Sequence, residues 1–170
     1  MSYITLKMAL LSFALVYYQP GFADIDSTPQ TGIQQVQEIQ HEWARLYYAE
    51  DFTNEHYQQL QALARGANRL SAEQPQSAEA LAWDAIVLST LAEKKGGIGA
   101  LSLVKEAKSK LEKAEQIDAN VLGGSVYASL ATLYSKVPGW PIGFGSEKKA
   151  ESYFAKALAL NPQGLDNNYF

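Results

Sequence analysis

Helical periodicity that returns at a near-constant interval is the strongest constraint in this 170-residue sequence. Trp83 and Tyr127 stand 44 residues apart, and so do the dipeptides Ile98-Gly99 and Ile142-Gly143. Ala107 and Ala150, Leu111 and Phe154, Ala114 and Ala157, and Ala119 and Pro162 are each separated by 43. Trp43 precedes Trp83 by 40, and Pro75 precedes Ala119 by 44. Inside these intervals apolar residues fall at three- and four-residue steps, the period of an amphipathic helix. The pattern predicts helices over about 33–50, 54–71, 77–94, 102–117, 122–136 and 146–160. The stripe of the first contains Val36, Ile39, Trp43, Leu46 and Tyr47. No window alternates at period two, so no sheet is expected. One hairpin cannot bury both its faces, so a period of 40–44 implies stacked hairpins with a continuous core. The expected fold is all-α, about three tandem antiparallel hairpins over residues 32–162.

Composition excludes several functions. Lys+Arg 14 against Asp+Glu 18 gives a net charge of −4, the wrong sign for a protein that neutralises nucleic-acid phosphates. Cysteine is absent, which removes disulfides, thiol catalysis, cysteine-ligated metal and a lipid-modified cysteine. Residues 1–23 contain Lys7, an apolar run of eleven residues, Pro20-Gly21 and small residues at Gly21 and Ala23. This is the three-part form of a secretory signal peptide, with cleavage expected after Ala23. The run is too short to span ~30 Å of hydrocarbon, which takes ~20 residues, so no stable membrane anchor is expected after cleavage. An exported, acidic, cysteine-free chain suggests the bacterial periplasm. Residues 24–31 read as a flexible lead-in, and 163–170 as a C-terminal tail.

The local pattern of the last unit is more specific. Tyr127-x-x-Leu130-Ala131-x-x-Tyr134 is followed by Ala150-x-x-x-Phe154-x-x-Ala157 and then Asn161-Pro162. This resembles the tetratricopeptide repeat (TPR) rather than HEAT-type repeats. The stretch 83–119 is a weaker copy, with Ala119 where proline is expected, and 40–75 is weaker still. The resemblance implies a right-handed superhelix. The usual unit has ~34 residues, and the last two units here have turns longer by roughly eight, GGIGALS at 96–102 and GWPIGFGS at 139–146. The chain is also similar to periplasmic TPR proteins related to the T-component of TRAP transporters. That likeness implies a helical scaffold that partners a transporter's substrate-binding protein, with repeats around an apolar cavity. Exported TPR proteins with YSKVPGWPIGFG, KKA and ALALNP look alike too, and their chains run past the point matching Phe170. A TPR stack normally ends in a solvating helix. Tyr153, Ala157 or Leu160, with Leu165, Tyr169 and Phe170, would otherwise form an exposed apolar end, so either the chain is a piece of a longer protein, the favoured reading, or that end docks on a second copy or a partner.

Motifs for catalysis are incomplete. Ser102-x-x-Lys105 and Ser146-x-x-Lys149 match S-x-x-K, but the S-D-N and K-T-G partners of penicillin-recognising enzymes are missing. Both serines are expected to cap helices. Gly139 to Lys148 lacks the G-K-[ST] ending of a phosphate loop, and His41-Glu42 has Arg45 where a zinc motif needs its second histidine. His41 is expected to be a partly exposed helix residue. Asp51, Asp84, Asp118 and Asp166 are scattered near helix ends and loops. No catalysis, metal or cofactor is expected.

The expected function is therefore binding of a periplasmic protein or peptide in a groove lined by the first helix of each hairpin. Residues about 100° off each packing stripe point there: His41 and Tyr48, Asp84 and Leu88, Ala128 and Thr132. Trp140 and Phe144 lie in the last Pro/Gly turn, as a lid over the stack or as a contact for partner or ligand. Lys94, Lys95, Lys136, Lys148 and Lys149 flank the two long turns and predict a positive rim. The alternative is a carrier that encloses an apolar or organic-acid ligand within the repeats.

Overall fold

The computed structural model describes residues 31–163. The segment expected to be a signal peptide, the expected lead-in up to Gln30 and the tail beyond Gln163 lie outside them. Among the described residues six α-helices follow one another: α1 Gly32–Tyr47, α2 Asn54–Glu73, α3 Ala78–Lys95, α4 Leu101–Ile117, α5 Ser125–Lys136 and α6 Glu147–Leu160. Among the described residues there is no strand. The six are tandem hairpins, α1/α2, α3/α4 and α5/α6, and each helix packs on its neighbours in the chain. The first helices also touch along the stack, α1 with α3 and α3 with α5.

Side-chain caps set most helix starts. Thr31, Thr53, Ser77 and Ser146 each accept a hydrogen bond from the third backbone N–H of the helix that follows. That satisfies a donor the helix cannot pair internally. Thr31, placed by sequence in the lead-in, thus belongs to the folded domain. Ser102 is not a cap: α4 begins one residue before it, on a 3-10 turn Ile98–Ala100 without a side-chain cap. The fifth helix starts at Ser125 rather than near 122, because Leu122, Gly123 and Gly124 have φ of 54°, 56° and 96°. Left-handed backbone cannot continue a right-handed helix.

The core runs through all three hairpins. Leu46, Leu60, Val87, Leu111, Val126 and Leu130 are fully buried, and Ala67, Ala107, Ala114 and Ala157 let helices approach closely. Central α3 is buried on almost every side, because α1, α2, α4 and α5 all pack on it. Trp83 and Tyr127 are buried, while Trp43 and Phe154 are half-buried against the core. The expected apolar end is partly corrected: Ala157 is buried and Tyr153 packs inward on Tyr127, whereas Leu158 and Leu160 are exposed.

Candidate functional site

Residues expected in one groove separate into three environments. Asp84 and Leu88 are corrected outright, since both are buried within α3. Asp84 Oδ2 receives Lys110 Nζ at 2.8 Å and Ser71 Oγ at 2.5 Å. These contacts tie α2, α3 and α4 together in the interior. A carboxylate removed from water needs such partners, so Asp84 belongs to the scaffold. Ala128 is also buried, and Thr132 is half-buried, turning its hydroxyl back to the Ala128 carbonyl at 2.9 Å.

Tyr48, by contrast, is 74% exposed. It belongs to an aromatic cluster on the seam between α1 and α3. Trp43 stacks on Tyr47 at 4.8 Å, meets Tyr48 edge-on at 6.3 Å and crosses Trp83 at 5.6 Å. Trp43 Nε1 donates to Thr90 Oγ1 at 2.8 Å, which fixes the indole on α3. Tyr47, assigned to the packing stripe by sequence, shares the exposed edge. Burial, then the charge of Glu93, raises the pKa of its hydroxyl, so it stays a neutral donor. His41 is exposed on α1.

The third environment is the end of the stack formed by the hairpin turns. The turn 137–146 is closed on itself. Gly145 N donates to the Pro138 carbonyl at 3.0 Å and Ser146 N to the Tyr134 carbonyl at 2.9 Å. A Cβ on Gly145 would run into the Val137 carbonyl oxygen, and one on Gly143 would lie 2.5 Å from that of Pro138. Phe144 folds inward and meets Tyr134 edge-on at 5.5 Å, so it is the lid of the hairpin, not an exposed contact. Trp140 points the other way and is 90% exposed. Ile142 and its repeat equivalent Ile98 are exposed as well. Sequence reasoning missed these two isoleucines as surface features. The available signal was their matching place in two Gly-rich turns without helical period. Lys95, Lys136, Lys148 and Lys149 are exposed around them.

Beneath the third turn, aromatic and charged side chains bind α4, α5 and α6. Tyr153 stacks on Tyr134 at 5.7 Å with planes 8° apart. Lys108 lies 5.7 Å from both the Tyr134 and Phe144 ring centres and pairs with Glu112 at 2.6 Å. Lys156 sits 4.8 Å from the Tyr153 ring and pairs with Glu115 at 3.1 Å. Burial, then the negative charge of Glu115, pushes the Tyr153 phenol up to about 12. An open depression of about 480 Å³ is lined by Tyr134, Val137, Gly139, Gly145, Ala150 and Phe154. It lies within the last hairpin rather than inside a ring of repeats. Among the described residues no three His, Asp or Glu side chains are grouped to hold a metal ion. No helix there is long and apolar enough to cross a membrane. Comparison with protein families, with curated proteins and with solved structures finds no match to this chain.

Proposed function

We propose that the chain is a non-catalytic, TPR-like scaffold of the periplasm that binds a protein or peptide partner on the seam of its first helices. The observation behind this reading is the cluster of Trp43, Tyr47 and Tyr48. Its indole is pinned to α3 by Thr90, while its outer tyrosine edges are open. Rigid aromatics with an exposed polar edge are the side chains on which protein interfaces concentrate their affinity, because little conformational entropy is lost when a partner covers them. By the likeness to TRAP-associated proteins, the partner would be a transporter's substrate-binding protein.

The test is affinity purification from the periplasm followed by native mass spectrometry. The expected result is a complex with one periplasmic protein, lost in Tyr48→Ala while the melting temperature holds. A complex that survives both Tyr47→Ala and Tyr48→Ala would remove the seam from consideration. The depression under the third turn favours the second reading, a small-ligand carrier. A small molecule that co-purifies with wild type and is lost in Ala150→Leu would select it.

A further inference from the structure

The turn end of the second and third hairpins has a composition unlike the rest of the surface. Ile98 is 88% exposed, Ile142 63% and Trp140, two residues before Ile142, 90%. All three stand on turns that join first to second helices, so they share one end of the stack. Exposed Lys95, Lys136, Lys148 and Lys149 stand on the helix ends that flank these turns, against the exposed acids Glu93, Glu147 and Glu151. The chain as a whole is acidic, with a net charge of −4. Exposed acids Glu73, Glu79 and Asp118 mark the opposite end, and the first hairpin's turn, at the same end as the other two, has exposed Glu50 and Asp51. At these two turns exposed lysines and exposed apolar tips occur together.

Three large apolar side chains thus project into water from these two turns. The third turn is locked by its own hydrogen bonds and by Phe144, so Trp140 is held outward. We propose that this end docks reversibly on an anionic phospholipid surface. Trp140, Ile98 and Ile142 would enter the headgroup region, and the lysines would face the lipid phosphates. Tryptophan is suited to that boundary because its ring is apolar and its N–H polar. Separate projecting tips need no matching pocket in a fluid surface. The lysines supply the attraction that three shallow side chains lack, since lysines near an anionic leaflet each add to binding. This inference does not rest on the aromatic cluster proposed for protein binding, which is built on α1 and α3 rather than on these two turns.

The sequence has no cysteine, so a single introduced thiol can hold an environment-sensitive fluorophore. Full-length protein labelled at Ile142→Cys, at Ile98→Cys or, at the opposite end, at Gln76→Cys would be mixed with vesicles. Those vesicles contain phosphatidylcholine with or without phosphatidylglycerol. The expected result is a blue-shifted, brighter signal at positions 142 and 98 with phosphatidylglycerol only, and no change at 76. Lys136→Gln with Lys148→Gln should weaken this response roughly 25-fold, about five-fold for each charge removed. Raised salt should do likewise. An unchanged signal at 142 would overturn the proposal. So would an equal response at 76, or an equal response to phosphatidylcholine alone. A signal at 142 that responds to a purified protein partner but not to vesicles would assign the tips to protein instead.

Discussion

The second and third hairpins occupy the same place in the repeat and hold together by different chemistry. In the second, Asp84 on α3 and Lys110 on α4 form a buried ion pair at 2.8 Å, with Ser71 joining from the hairpin before. The residues 44 and 43 positions later are Ala128 and Tyr153. There the alanine is buried against Tyr127 and Ala157, and the tyrosine packs on that cluster while its ring stacks on Tyr134. The turns diverge as well. Both contain Ile-Gly at equivalent points, yet one runs through a 3-10 turn straight into α4 and the other closes into a loop plugged by Phe144. Equivalent positions in a repeat share a location, and their neighbours decide what that location demands. α3 is enclosed by four helices and leaves its polar residue no route to water.

The largest effect should come from breaking the ion pair. Asp84→Ala takes the buried partner from Lys110, leaving it Ser71 Oγ and the exposed Glu106 carboxylate, and should cost about 3 kcal/mol in urea unfolding. Asp84→Ala with Lys110→Tyr installs the third hairpin's pairing in the second. It should recover more than half of that loss, since apolar replacements for buried pairs are often neutral. No recovery would show that the two seams differ in shape, not only in chemistry. Next, Gly145→Ala should cost about 3 kcal/mol, because the new methyl meets the Val137 carbonyl oxygen and the loop must open. Gly99→Ala in the second turn meets only the flexible end of Lys95 at 2.9 Å, and should stay within about 0.5 kcal/mol. Equal losses in the two would contradict the contrast between closed and open turns.

Ser146→Ala should cost about 1 kcal/mol through loss of its bond from Lys149 N, whereas Ser102→Ala should be silent by thermal unfolding. The tyrosine seam makes its own pH prediction. Tyr153 titrates near 12 in the folded chain and ~10 when unfolded. Its protonated form is thus favoured by folding, so its contribution is complete below pH ~10 and fades as pH rises toward 12. Tyr153→Phe should flatten the fall in stability over that window, and an unaltered pH curve would place the phenol in water. The smallest change expected is for Trp140→Ala, under about 0.5 kcal/mol, as suits a side chain that touches little of the fold. A loss of several kcal/mol on heating would mean that the indole is a packing residue.

Much of the architecture was legible in the residues themselves. Apolar spacing placed all six helices, and the 40–44 interval identified hairpins in tandem, because helical period and burial are both written in the order of side chains. Trp83, Tyr127, Ala107 and Ala150 were likewise readable as core. Helix starts were less so: Ser146 caps and Ser102 does not, since a cap depends on where the backbone enters the helix. The binding surface was least legible. An angle on a helical wheel put Asp84 and Leu88 in a groove, but a wheel knows only its own helix, and α3 has neighbours on every side. Tyr48 stayed exposed because α1 has no hairpin before it among the described residues. Trp140 and Phe144 lie four residues apart in one aperiodic turn, and only closure of that loop sent one ring inward and the other to solvent. Local order determined the helices and their stacking. Which polar and aromatic groups meet water was settled by contacts between residues far apart in the chain, which no local pattern encodes.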